Sequence, residues 1–302
     1  MIGLLPPETD VAKGPAWHRL TYESRIAQVR LGAKGFSLTG ERMFTIMALP
    51  RGKRMFTILK EAIDMEYPHA ERYPVELVRS KIMGPNPLKL AEEVLERHPV
   101  PKGSRVLDLG SGMALTSAFL YQQYGLTVTA GDLWSDPGEN QTFLSSLGIA
   151  PDQVCAVHAD ATDLPFEHEE FDAITCIDAY NFFGRDGGFL DKKLLPFLKP
   201  RGRILLAISG LTHDCHDDIP PELLVSWTPE QLDYMHDMTW WHGIFEQSKG
   251  ARIVDMWEMQ TNDEAWADWL ACDNPYAVGD RASMEAGAGK YLNFIGVVLE
   301  KL

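Results

Sequence analysis

The sequence predicts an α/β fold with a mostly parallel β-sheet. Two observations indicate it: short apolar runs of strand length alternate with segments of helical periodicity, and one such run leads directly into a glycine turn and a helix. That unit consists of a strand at 105–109, a Gly-x-Gly turn at 110–112 and the helix that follows. A strand, a tight glycine turn and a helix in this order are typical of sheets that bind nucleotide-like ligands.

The chain before this unit is mostly helical in its periodicity. Residues 1–80 carry spaced apolar positions interrupted by prolines, and we expect them to form an N-terminal helical cap that is distinct from a sheet domain at 81–302. A further helix is predicted at 88–97, directly before the first strand. A second apolar run at 126–131 fits the next strand.

Towards the carboxyl end, Thr228 fits the N-cap of a helix that we expect to continue through Trp240 and Trp241 to Gln247. The two tryptophans either pack this helix against the core or cover a substrate, and packing is the simpler interpretation. Strands are predicted at 251–259 and 291–300. The insertion between them, near 261–290, is expected to contain one helix close to the mouth of a site.

The glycine turn defines which ligand fits. Gly110 and Gly112 allow the backbone to approach a ligand in conformations that a side chain would forbid, and the helix N-terminus offers unpaired N–H groups. A dinucleotide fingerprint needs a third glycine where this chain has Leu115. Asp108, two residues before the first glycine, would repel a pyrophosphate and attract an ammonium group. The turn therefore favours a ligand with an amino group.

With Asp108, Gly110 and Gly112 in this order, the turn resembles the first motif of the class I S-adenosylmethionine-dependent methyltransferases. Segments 154–166, 171–180 and 198–208 resemble the third, fourth and fifth strands of that family. The resemblance covers residues 81–302. It implies a Rossmann-like, seven-stranded, mostly parallel sheet with helices on both faces and an antiparallel pair of strands at its edge. It also implies S-adenosylmethionine as cofactor.

Shorter segments resemble a bacterial subgroup described as type 11 or cyclopropane-synthase-like methyltransferases. These segments are 83–86, 132–134, 178–184 and 209–211. Where an aromatic-His-aromatic pattern would be expected after the fourth strand, this chain has Asn181, so the resemblance gives no role to a histidine there.

The resemblance also implies which residues bind the cofactor. Asp132 is expected to bind the ribose hydroxyls, and Asp160 is expected to meet the adenine amino group with Ala161 supplying backbone. The full set of expected cofactor-binding residues is Asp108, Gly110, Ser111, Gly112, Asp132, Leu133, Asp160, Ala161 and Asp178.

Methyl transfer from a sulfonium depends mainly on positioning, and a base is needed only when the acceptor must lose a proton. The candidate catalytic residues are Asp178 and Tyr180, at the end of the fourth strand, and His213, after the fifth. Each has a structural alternative: Asp178 orients a loop, Tyr180 is a core aromatic, and His213 belongs to a solvated loop.

The segment His213–Asp218 contains six consecutive residues that can all ligate a metal. Consecutive ligands are hard to aim at one ion, so we predict no metal site. A polar loop that contacts the substrate and a solvated loop are the alternatives.

Charge and cysteine content limit the partners. The net charge of −15, from 28 basic and 43 acidic residues, disfavours nucleic acid and stable membrane association. The four cysteines form no CxxC pair, which fits reduced thiols and a cytoplasmic protein. We expect a small-molecule acceptor and leave open whether the chain forms a homo-oligomer.

Three other functions remain as alternatives. The chain could modify a lipid, as cyclopropane synthases do, or could bind S-adenosylmethionine without turnover. A nicotinamide-dependent oxidoreductase is the third, and both Leu115 and Asp108 count against it.

Overall fold

The computed structural model describes residues 67–302. Seven strands in this part of the chain form one sheet in the order β3-β2-β1-β4-β5-β7-β6. They are β1 (Arg105–Leu109), β2 (Thr127–Asp132), β3 (Val154–His158), β4 (Phe171–Ile177), β5 (Leu198–Leu211), β6 (Ala251–Glu258) and β7 (Leu292–Lys301). Strands β1 to β5 pair in parallel, and β7 runs antiparallel to both β5 and β6. The predicted Rossmann-like sheet and its antiparallel edge pair are confirmed.

Helices cover both faces of this sheet. The α-helices are α1 (Val75–Lys81), α2 (Pro87–Arg97), α3 (Leu115–Tyr124), α4 (Pro137–Ser146), α5 (Pro229–Leu232), α6 (Met238–Phe245), α7 (Asn262–Leu270) and α8 (Pro275–Ala286). Because side chains alternate along a strand, Val106 faces one apolar core and Leu107 faces the other. The first core lies under α2 and α3, and the second contains the aromatic residues of α6.

Residues 67–81 pack into the core of the sheet domain. Tyr67 and Val78 are buried in the same cluster as α2. The Glu92 carboxylate, also buried, accepts hydrogen bonds from the backbone N–H groups of His69 (2.9 Å) and Ala70 (2.7 Å). The predicted division between residues 80 and 81 thus falls inside one packed unit among the described residues. The rest of the predicted helical cap, residues 1–66, lies outside the described residues.

Two predictions about the helices were wrong in detail. The single helix expected from Thr228 to Gln247 is two helices, α5 and α6. The chain between them turns towards the end of β5, where the His236 carbonyl accepts a hydrogen bond from Leu211 N. Asp237 then caps α6 by accepting from Trp240 N at 2.8 Å. Thr228 does cap α5, in a reciprocal capping box with Gln231.

The insertion after β6 contains two helices, α7 and α8, where one was expected. Asn274 is the N-cap of α8: its side chain accepts a hydrogen bond from Tyr276 N, and Pro275 occupies the first helical turn. Within residues 67–302, none of the helices combines the length and apolar character that crossing a bilayer requires.

Candidate functional site

The glycine turn lies at the point where the strand order of the sheet reverses, between β1 and β4. Gly110 and Gly112 have φ angles of +76° and +52°, which favour glycine. A Cβ atom on Gly110 would lie 2.5 Å from the Cβ of Ala179, which follows β4. The loops after β1 and β4 therefore meet at backbone distance, in the crevice where open α/β sheets bind their ligands.

Ser111 lies between the two glycines and is buried. Among residues 67–302 its hydroxyl has no hydrogen-bond partner. A buried hydroxyl without a partner is unfavourable, and a ligand that supplied a partner would remove this cost. Met83 covers the other side of the turn, with its Sδ 3.2 Å from where a Cβ on Gly112 would lie.

Asp108 lies beneath the turn and is 1 % exposed. Its carboxylate accepts hydrogen bonds from the hydroxyls of Ser117 (2.6 Å) and Thr175 (3.2 Å). Burial raises the pKa of Asp108 to about 6, although the two hydroxyl donors act in the opposite direction. The residue expected to attract an ammonium group is thus fixed under the loop by neighbouring strands and helix.

This burial predicts a stability effect. The pKa of Asp108 is about 6 in the folded protein and near 3.8 when unfolded, so its ionisation is penalised by folding. Stability is therefore highest below the unfolded pKa and is lost as the pH rises through about 6. Asp108→Asn cannot ionise at this position. We therefore expect its free energy of unfolding, relative to that of the natural protein, to rise by about 1–3 kcal/mol when the pH is raised from 4 to 8.

Urea denaturation of both proteins at the two pH values measures this change. The exposed Asp163→Asn serves as control, and its difference from the natural protein should stay within about 0.5 kcal/mol at both pH values. An Asp108→Asn difference that does not change with pH would contradict the prediction.

Asp132 ends β2, and its carboxylate organises the turn. One oxygen accepts from Gly112 N at 2.9 Å, and the other accepts from Trp134 N (2.9 Å) and Ser135 N (2.8 Å). The next side chain, Leu133, is 40 % exposed at the same edge of the sheet. A carboxylate oxygen has two lone pairs, so the first oxygen can accept a further donor.

Asn140 of α4 is a residue of this edge that sequence reasoning missed. Its amide donates to the Gly112 carbonyl at 2.8 Å and to the Ser135 hydroxyl at 3.0 Å, and the residue is buried. It joins the loop after β1 to the loop after β2. Within the sequence it lies inside an ordinary polar helix, with nothing in the motif to mark it.

Asp160 and Ala161 follow β3 at the same edge. Asp160 is partly exposed and accepts from both the backbone N–H and the hydroxyl of Thr162, each at 2.7 Å. The backbone donor, then the hydroxyl, lower the pKa of Asp160. Ala161 is buried. Asp132 pairs with His158 in the β2–β3 register, so Asp160 lies just beyond the end of β2.

Asp178 is the first residue after β4 and has a φ angle of +57°, which is unusual for a residue with a side chain. Its Oδ2 lies only 2.5 Å from where a Cβ on Gly84 would be, so Gly84 makes room for it. No donor among residues 67–302 hydrogen-bonds to the carboxylate. Burial, followed by a smaller effect of Asp280, raises its pKa to about 7.

Tyr180 is placed differently from the prediction. It is completely buried, and its hydroxyl has no hydrogen-bond partner among the residues that the structure describes. Its ring packs against Trp241 and Phe245, both with centroids 5.7 Å away. Burial raises its pKa further above the usual tyrosine value. This position in the second core does not support the predicted catalytic role. The short helical turn at Tyr180–Phe182 points the ring into the core, away from the sheet edge.

His213, the third catalytic candidate, is exposed after β5. Its Nδ1 lies 3.2 Å from the Thr212 hydroxyl, and its ring centroid is 6.1 Å from that of Tyr291. The structure does not place it in contact with Asp178.

The same loop brings Asp214 and His216 together with His236, which sequence reasoning did not connect. The ring of His236 stacks on Trp240 with a centroid distance of 3.6 Å. Burial and then His216 lower the pKa of His236. Partial burial also opposes the charge of His216, but hydrogen bonds to Asp214 and to the Leu232 carbonyl raise its pKa overall.

A family model described as a methyltransferase domain matches residues 107–206, from β1 into β5. Demethylmenaquinone methyltransferase of Clavibacter sepedonicus is 37 % identical over 124 residues, which cover 41 % of this chain and 45 % of that protein. The chain thus aligns with less than half the length of this curated relative.

Solved structures share the fold at low identity. Phosphoethanolamine N-methyltransferase 2 of Haemonchus contortus, in complex with S-adenosyl-L-methionine, has a TM-score of 0.58 at 18 % identity, covering 84 % of this chain and 61 % of that one. Geranyl diphosphate C-methyltransferase of Streptomyces coelicolor, in complex with Mg²⁺, geranyl diphosphate and S-adenosyl-L-homocysteine, has a TM-score of 0.56 at 14 % identity, covering 71 % and 81 %.

The sheet order and the glycine turn at the reversal point define a Rossmann-like fold. Over residues 107–206 the chain is similar to a methyltransferase domain.

Proposed function

We propose that this protein transfers the methyl group of S-adenosylmethionine to a small-molecule acceptor. One observation carries the proposal: four neighbouring strands, β3, β2, β1 and β4, each end at or beside an aspartate of the same sheet edge. These are Asp160, Asp132, Asp108 and Asp178. Such an edge suits a ligand with a sulfonium, an ammonium and hydroxyl groups, and it would repel a pyrophosphate.

The residues present fit this cofactor. The unpartnered Ser111 hydroxyl and the close contact of Gly110 with Ala179 form a cradle that a side chain would fill. Asp132 retains a lone pair for a ribose hydroxyl, and the exposed Leu133 offers an apolar surface for a base. We assign Asp160 and Ala161 to the adenine end and Asp108 with Asp178 to the methionine end.

S-adenosylmethionine supplies an activated methyl group that an acceptor takes by in-line displacement. The chain's contribution is then mainly to hold acceptor and cofactor in line, which can supply several kcal/mol and up to about 7–11 in ideal cases. Asp178 is the residue that we assign to a proton transfer, because its carboxylate accepts no hydrogen bond from residues 67–302 and its pKa lies near neutrality.

Calorimetric titration tests the cofactor. We expect S-adenosylmethionine and S-adenosylhomocysteine to bind with Kd values of about 1–100 μM and NAD not to bind. Binding of NAD alone, or of none of the three, would overturn the proposal. If binding is intact, an acceptor screen that detects S-adenosylhomocysteine release separates an enzyme from a module that binds without turnover. The cytoplasmic location, the absence of nucleic-acid partners and the oligomeric state stay predictions.

Asp178 gives a prediction about pH. With an acceptor that must lose a proton, we expect kcat/KM to rise with pH up to about 7 and then level off, because the base acts in its ionised form. With the cofactor at saturating concentration, Asp178→Asn should lower kcat at least about tenfold and remove this rise.

Steady-state kinetics between pH 5 and pH 9 measure both effects. Asp186→Asn, an exposed acid of the same segment after β4, is the matched control and should keep the natural profile. An unchanged rate and profile in Asp178→Asn would show that Asp178 only positions the loop.

A further inference from the structure

Three side chains from two separate segments converge beyond the end of β5. Asp214 and His216 belong to the loop after this strand, and His236 lies between α5 and α6. One ligand atom from each lies within 4.8 Å of the other two. The closest pair is His216 Nδ1 and an Asp214 oxygen at 2.8 Å, and His236 Nδ1 is 3.7 Å from the other Asp214 oxygen.

We propose that Asp214, His216 and His236 bind a divalent transition-metal ion. Two imidazole nitrogens and one carboxylate are a common zinc ligand set, with a fourth position left for water or for an oxygen of a bound molecule. This inference concerns a site separate from the cofactor residues, and it does not depend on the proposed methyl transfer.

The strongest evidence is that His236 is buried with a ring nitrogen that lacks a hydrogen-bond partner. The residue is 8 % exposed, and its Nδ1 has no hydrogen-bond partner within the described part of the chain. That atom faces the Asp214 carboxylate at a distance too long for a hydrogen bond. Stacking on Trp240, with ring planes 10° apart, fixes the direction of the imidazole. A buried nitrogen without a partner is costly, and a metal ion between it and Asp214 would satisfy it.

His216 has the surroundings of a metal-binding histidine. Its Nε2 lies 3.1 Å from the Leu232 carbonyl, to which an Nε2–H can donate. Metal-bound histidines almost always donate their second ring N–H to a carbonyl or a carboxylate, which fixes the ring and leaves the other nitrogen for the metal. In His216 the nitrogen that remains is Nδ1, the atom that faces Asp214.

The cluster needs only a modest adjustment to hold an ion. Zinc bonds of about 2.0–2.2 Å in a tetrahedron place ligand atoms about 3.4 Å apart. The most distant pair of ligand atoms, at up to 4.8 Å, must therefore close by about 1.4 Å. Asp214 is exposed and His216 is partly exposed, so the loop side of the cluster is free of tight core packing.

The proposed metal site lies next to the segment that follows β4. Arg185, in the segment after β4, donates to the Asp233 carbonyl and carboxylate, and the Phe182 and Tyr234 rings lie 5.5 Å apart. The segment that carries His236 is thus attached to the segment that follows Asp178. An ion here lies at the carboxyl edge of the sheet, where its open position can accept an oxygen ligand.

Zinc binding by the full chain, purified without a histidine tag and treated with a chelator, tests the proposal. We expect titration calorimetry to give one Zn²⁺ per chain, and Zn²⁺ to raise the thermal unfolding midpoint. Mg²⁺, which prefers oxygen ligands, should not compete. Substitution with Co²⁺ should give the visible absorption of a four-coordinate site without sulfur charge-transfer bands.

Variants identify the ligands. His236→Gln, His216→Gln and Asp214→Asn should each weaken Zn²⁺ binding at least about tenfold, while the neighbouring His213→Gln and Cys215→Ser leave it unchanged. If His236→Gln does not fold, the two variants of the exposed loop still decide the question. Retained affinity in all three variants, sulfur bands that vanish in Cys215→Ser, or no stoichiometric Zn²⁺ in the natural protein would overturn the proposal.

Discussion

Gly110→Ala is expected to weaken S-adenosylmethionine binding by at least about 100-fold, equivalent to about 2.7 kcal/mol. The new Cβ would lie 2.5 Å from the Cβ of Ala179, so the loops after β1 and β4 must separate at the crevice between them. The variant also carries the cost of a left-handed backbone conformation, about 1–2 kcal/mol, because φ is +76°.

Gly148→Ala separates these two costs. Gly148 has a similar φ of +74°, but nothing lies within 4 Å of its added Cβ. It should lose about the same stability from the backbone conformation and keep its cofactor affinity. Adding Ala179→Gly to Gly110→Ala removes the contact and should restore part of the affinity, as a double-mutant cycle measures. If the natural protein and Gly110→Ala bound S-adenosylmethionine equally well, the close approach of Gly110 to Ala179 would not be needed for cofactor binding.

Asp132→Ala is the second change with a large expected effect, also at least about 100-fold in the S-adenosylmethionine Kd. It removes the proposed ribose ligand and leaves the N–H groups of Gly112, Trp134 and Ser135 without their acceptor. Calorimetry with the cofactor measures the total effect. Asp136→Ala is the matched control, because this neighbouring acid caps α4 and should cost about 1 kcal/mol of stability without changing the Kd.

A ligand analogue distinguishes the ribose contact from the support of the loop. The natural protein should bind S-adenosylhomocysteine more tightly than its 2′-deoxy analogue, and Asp132→Ala should bind the two equally. If the variant still discriminates between them, Asp132 acts through the loop backbone and another group binds the hydroxyl.

The sheet could be predicted from the sequence because each central strand is a buried apolar run closed by an acid or a glycine. The turn at Gly110 and Gly112 and the acids Asp108, Asp132 and Asp160 were located for the same reason: strand ends fix their position at one edge. Their predicted contacts with a cofactor remain proposals. What could not be predicted depends on how loops fold back.

Tyr180 illustrates this limit. It follows the same strand as Asp178, but a short helical turn directs its ring into the second core. His236 shows the opposite case, since helical periodicity assigned it to one long helix and concealed its approach to Asp214. The break between α5 and α6 depends on a backbone hydrogen bond from Leu211 to His236, a long-range contact that local sequence patterns do not encode.

The position of β7 has a consequence for biosynthesis. This strand lies between β5 and β6, although it is translated after both. Until residues 292–301 leave the ribosome, β5 presents an open edge and β6 has no partner in the sheet. A nascent chain therefore carries exposed apolar strand edges over this interval, which favours chaperone capture or aggregation. Slower folding is expected as well, because the pairing of β5 with β7 must close a loop of many residues.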